Sequence, residues 1–75
     1  MLTLTIKAAK AAYARQEISR PFYMNGGLYF TFIGGTHRGD DGYLVTATGA
    51  FKQFSSADHA GDAVVKITGD PLDRF

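Results

Sequence analysis

The chain has 75 residues, 45% of them apolar and 20% charged, with a formal net charge of +1 and no cysteine. A chain of that size makes one small domain that buries only about 60% of its unfolded surface, which excludes a large enzyme and a deep cofactor cleft. The lack of cysteine excludes disulfides and thiolate zinc sites, and the near-neutral charge excludes a strongly basic nucleic-acid binder and an acidic polyanion mimic.

The first predicted element is a helix from Ile6 to Ile18, capped by Thr3 or Thr5 and stopped by Pro21, which pushes Arg20 out of helical geometry. The rival reading makes Leu2, Leu4 and Ile6 the buried face of a short strand. That strand would have to enter the helix with almost no loop, which ranks it second. On a helical wheel Ile6, Ala9 and Tyr13 form one apolar stripe. Leu4, Ala8, Ala11 and Ile18 form another, nearly opposite, and suggest a seam for a homodimer.

Residues 22–54 hold eight of the ten aromatics and seven of the nine glycines. Rings separated by glycine clusters are the signature of strands and turns. Phe22 to Met24 and Leu28 to Ile33 flank Asn25-Gly26-Gly27, and Asn-Gly is the strongest short-range hairpin signal. Residues 34–42 then form a glycine-rich polar loop. Tyr43 to Phe54 is a third extended stretch, in which Gly49 is either a tight turn or a bulge. The last element is a helix beginning after Ser55, with Asp58 completing an approximate capping box. Ala57, Ala60, Val64 and Ile67 lie on one face of it, Gly69 takes the left-handed position at its end, and Pro71 follows. On β-branching alone, residues 63–68 could instead be a strand.

The expected architecture over residues 1–75 is a single α+β domain in the order α-β-β-β(-β)-α. An antiparallel sheet of three or four strands carries both helices on one face. Its core is drawn from Tyr13, Phe30, Phe32, Leu44 or Val45, Phe54, Ala60, Val64 and Ile67.

Most chemistry has no foothold in this sequence. Arg38-Gly39-Asp40 matches an adhesion tripeptide, but no secretory features accompany it. His37 with Asp40 and Asp41, and His59 with Asp58 and Asp62, lack the ligand spacing of a metal centre. No nucleophile elbow and no phosphate-binding glycine loop is present. The protein is therefore expected to be non-catalytic, with no cofactor and no metal. No apolar run approaches the ~18 residues of a membrane span, and Lys7 and Lys10 interrupt the only signal-like stretch, so no membrane contact and a cytoplasmic location are expected.

What remains is binding by surface contact. The candidate contact residues are His37, Arg38, Asp40 and Asp41 on the glycine loop, Tyr23 and Tyr29 as exposed strand aromatics, and Lys7, Lys10 and Arg15 on the first helix. In length and organisation, with no matched residue, the chain resembles the small phage and mobile-element proteins that block host defence complexes such as CRISPR effectors. That resemblance implies an inhibitor occluding a surface on a larger protein or ribonucleoprotein complex. The alternative is a small nucleic-acid-binding module using the strand aromatics and the basic first helix. Between residues 21 and 57 only Arg38 and Lys52 are cationic, so weak or no nucleic-acid binding is expected.

Overall fold

A single residue, Thr5, joins the first strand to the first helix. The computed structural model describes residues 2–70, with Leu2–Leu4 forming β1 and Ile6–Ala14 forming α1. Thr5 keeps extended backbone angles, and its hydroxyl oxygen accepts a hydrogen bond from the Ala8 N–H at 3.2 Å. An N-cap residue is extended by nature, so it can close a strand and open a helix with no loop between them. The rival strand reading of Leu2 and Leu4 is thus the correct one, and the element order is β-α-β-β-β-α.

The first helix also stops four residues before the expected Ile18. Gln16 adopts left-handed angles (φ 60°), its N–H donates to the Tyr13 carbonyl at 3.0 Å, and the Glu17 N–H donates to the Ala12 carbonyl at 2.9 Å. These two bonds are a Schellman motif, which satisfies the last free carbonyls of a helix. Ending there releases Ile18 to bridge Phe32 beside the sheet, where it is 1% exposed. Burial of that side chain outweighs one more helical turn, and Pro21 plays no part in the stop.

Phe22–Met24 (β2) and Gly27–Thr31 (β3) form the expected hairpin, with Asn25 and Gly26 both at positive φ between Met24 and Gly27. Asp41–Leu44 (β4) pairs antiparallel with β3 and parallel with β1, giving the order β1-β4-β3-β2. The sheet is therefore four-stranded and mixed, where an all-antiparallel sheet was expected. The parallel pair arises from β1, the short strand that precedes the predicted helix. Asp41 and Gly42 belong to β4, so the polar loop is shorter than residues 34–42. Gly49 lies in a tight turn, its N–H donating to the Thr46 carbonyl at 2.9 Å, and Phe51 returns to bridge Val45.

The second helix, Ala57–Thr68 (α2), is capped by Ser56 rather than Ser55. The Ser56 hydroxyl accepts from the His59 N–H at 3.3 Å, and Gly69 ends the helix at φ 75° with its N–H on the Val65 carbonyl. Residues 63–68 are thus helical, and Pro71 lies outside the described residues.

Alternation along the strands points Leu28, Phe30 and Leu44 to one side, where they share a core with Ala9, Ala12, Ile18, Phe32, Ala60, Val64 and Ile67. Both helices therefore cover the same face. Val45 is buried as well, while Tyr13 and Phe54 are half-buried against this core.

Gln16 holds a conformation that suits glycine, and left-handed angles cost an L-residue about 1–2 kcal/mol. Because glycine loses more chain entropy on folding, Gln16→Gly is expected to raise stability by up to about 1 kcal/mol. Urea denaturation checks this through a higher midpoint at unchanged slope.

Candidate functional site

Among the described residues, the same alternation that builds the core leaves the other face of the sheet without a covering layer. Its outward positions are Thr3 on β1, Asp41 and Tyr43 on β4, Tyr29 and Thr31 on β3, and Phe22 and Met24 on β2. Cross-strand registry sets Phe22 opposite Tyr29 and Tyr29 opposite Tyr43. The ring centroids of these pairs stand 6.1 and 6.2 Å apart. Phe51 completes the cluster, 6.3 Å from Tyr29 and 5.6 Å from Tyr43.

Phe51 reaches this position because Gly27 has no side chain. A Cβ at Gly27 would lie 2.2 Å from the tip of the Phe51 ring. The ring thus covers the bare backbone of β3 while its outer surface faces solvent. Phe22, Met24 and Phe51 are 44%, 45% and 41% exposed, well above any buried aromatic of the core. Such rings gain most of their worth by burial against another apolar surface.

The electrostatics of this face are spare. None of the outward strand positions is Lys or Arg. Its one charge is the Asp41 carboxylate, which accepts a hydrogen bond from the Thr31 hydroxyl at 3.2 Å on the rim.

The structure divides the residues singled out from sequence. Tyr29 and Asp41 come together on the open face. Tyr23 does not join them, because it points to the helix side and packs half-buried against the core. His37, Arg38 and Asp40 are exposed on the loop after Phe32, with His37 Nδ1 3.7 Å from an Asp40 oxygen. That loop is closed by the Phe32 N–H on the Asp40 carbonyl and the Gly39 N–H on the Phe32 carbonyl. Its base is pinned by the Ile33 and Gly34 N–H groups, both donating to the Glu17 carbonyl. It is a tied connection with four polar side chains, Thr36, His37, Arg38 and Asp40, facing solvent.

Lys7 and Lys10 are exposed on α1, whereas Arg15 is committed to Glu17, with Nη2 3.0 Å from Oε1. That hydrogen bond holds the Glu17 carboxyl below its ordinary range and raises Arg15. What the pair adds to stability is present above the ordinary carboxyl range and fades as pH falls through the lowered value. The proposed homodimer seam is not a surface at all. Leu4 packs half-buried on β1 and Ile18 is buried, leaving only Ala8 and Ala11 exposed. Among the described residues no three His, Asp or Glu side chains converge, and no helix is long and apolar enough to cross a membrane.

Phe22, Met24, Tyr43 and Phe51 escaped the sequence reading. Period-two alternation placed Tyr29 but stopped at Tyr43, because Asp41 and Gly42 were assigned to a loop. For Phe51 no local signal exists, since its place depends on the turn at Thr46–Gly49. Compared with known protein families, curated proteins and solved structures, the chain matches none.

The packing of Phe51 on Gly27 makes a double-mutant test. Gly27→Ala should push the ring off Tyr29 and Tyr43, at about the 0.5–1.5 kcal/mol that such aromatic pairs contribute. In a Phe51→Ala background the same change should cost nothing, because the clash is gone. Thermal unfolding of the four proteins measures the coupling, and aromatic chemical shifts of Tyr29 and Tyr43 report the ring's departure.

Proposed function

We propose that this protein is a non-catalytic binding domain that docks a protein partner through the open face of its sheet. The observation that carries the reading is the solvent-facing cluster of Phe22, Tyr29, Tyr43 and Phe51, held in register by β2, β3, β4 and the return segment that bridges Val45. Among the described residues, three of the four exposed large apolar side chains (Phe22, Met24 and Phe51) lie on this one face. A contiguous apolar patch rimmed by polar groups is a mark of an interaction site on a small soluble domain.

The chemistry of the face says what fits it. Its centre is apolar and its rim carries one carboxylate, so the complementary partner offers an apolar segment with a Lys or Arg set to meet Asp41. A second copy of the chain supplies no such cation from its own open face. Nucleic acid fits less well, because its affinity rests on phosphate contacts and this face has no Lys or Arg to make them. The narrower reading, an inhibitor occluding a surface of a host defence complex, draws on length and organisation and adds no residue to this account.

The test compares two variants with wild type in affinity capture from host-cell extract treated with nuclease. Phe22→Ser combined with Tyr43→Ser removes exposed ring surface from the open face. Replacing His37, Arg38, Asp40 and Asp41 together with alanine removes the charged side chains of the loop together with the Asp41 carboxylate at the start of β4. A single species held in stoichiometric ratio by wild type should be lost with the first variant. It should be weakened only modestly by the second, through Asp41, while both variants keep their melting temperatures within a few degrees. Loss with the loop variant and retention with the ring variant would place the contact on the loop instead.

A further inference from the structure

The side of the molecule away from the aromatic face carries a separate feature. Two adjoining concavities, of about 390 and 400 Å³, lie where the return strand after Thr46 meets the start of α1 and the outer side of α2. Lys7 and Lys52 border the first, and Lys52, His59 and Lys66 border the second, so that Lys52 and Ile6 are common to both. Lys52 follows Phe51 directly. Since neighbouring residues of an extended chain point to opposite faces, the ring goes to the open side and the lysine to this one. Its ammonium stands 5.8 Å from the centroid of the Phe54 ring, a cation–π contact that fixes where the charge sits.

These lysines are not spent on one another's neighbours. Elsewhere Arg15 pairs with Glu17 and His37 with Asp40, but among the described residues no carboxylate lies within ion-pair distance of Lys7, Lys52 or Lys66. Asp62 is the single carboxylate lining either concavity. Across the two concavities three lysines face one carboxylate, an excess of positive charge that an anionic ligand would neutralise. Lysine presents a compact point charge with three donors, the form in which it serves phosphate, whereas planar carboxylates are more often met by the fork of arginine.

We infer that Lys7, Lys52 and Lys66 form a phosphate-binding surface, independent of the aromatic face and on the opposite side of the sheet from it. The ligand chemistry is a phosphate group, carried either by a small molecule or along the backbone of a single-stranded nucleic acid. The open-face rings take no part.

The experiment is an amide-resolved NMR titration of the full chain at 50 mM salt, with inorganic phosphate and with a twelve-residue oligothymidylate as separate arms. Perturbations around Lys7, Lys52 and Lys66 are expected. Response to both probes identifies a nucleic-acid backbone as the source, and response to inorganic phosphate alone identifies a small ligand. With three contacts, oligothymidylate affinity should fall about 20-fold between 50 and 200 mM salt. Replacing the three lysines with glutamine should weaken binding at least tenfold, while Lys10→Gln, in a different groove, leaves it unchanged. The inference is overturned if neither probe perturbs these amides or if the triple variant binds like wild type. It also fails if polyglutamate of equal length binds as tightly, or if Phe22→Ser abolishes oligothymidylate binding while the triple lysine variant keeps it. None of these outcomes bears on the open-face reading, which rests on different residues.

Discussion

The structure turns on one-sided coverage of a four-stranded sheet. Among the described residues two helices, of 9 and 12 residues, fold against it, and both lie on the face that carries Leu28, Phe30 and Leu44. A strand sends alternate side chains to opposite faces, so every residue that builds the core commits its neighbour to the other side. With no third layer, that other side must meet solvent, and solvent-facing positions of a sheet are ordinarily polar. Here they include Phe22, Met24, Tyr29 and Tyr43. The departure from polar-out patterning is what sets this face apart from a structural surface.

The cost of the arrangement is met locally. Phe51 lies across the backbone of Gly27, shielding a strand residue that has no side chain of its own, and its ring touches both tyrosines. The cluster is therefore organised before any partner arrives, which lowers the entropy that binding must overcome. Gly42 serves the inner face in the complementary way. A Cβ there would lie 2.6 Å from the Phe30 ring, so its absence lets Phe30 and Phe32 pack edge to face beneath β4. One glycine on each of two adjacent strands thus seats a ring, one ring per face.

Much of this was legible in the sequence where the signal is local. Asn25-Gly26 fixed a hairpin through its need for positive φ, and Gly69 marked the end of α2 for the same reason. The spacing of Ala57, Ala60, Val64 and Ile67 identified the buried side of that helix, although Ala57 in its first turn is exposed. The failures occur where a distant contact decides. Helical propensity favoured continuing α1 through Arg15 to Ile18, yet Ile18 is needed against Phe32, fourteen residues on, and Gln16 accepts an unfavourable conformation to allow it. The strand at Leu2-Thr3-Leu4 ranks second in the sequence for want of a loop before the helix, and its parallel pairing with β4, forty residues on, decides in its favour. The candidate contact residues divide for a related reason: Tyr29 and Asp41 lie on the open face, while His37, Arg38 and Asp40 lie on the loop. Polar loop residues are conspicuous in a sequence, whereas exposed rings are indistinguishable from core rings until their faces are assigned.

The central claim is that the uncovered face, and not the tied loop, is where a partner protein binds. Site-specific photocrosslinking addresses it most directly, with a benzophenone side chain placed in turn at Phe22, Tyr43 and Arg38 and irradiated in host-cell extract. The account predicts one crosslinked polypeptide, the same from Phe22 and Tyr43, and none from Arg38. A crosslink from Arg38 with none from the two sheet positions would contradict it.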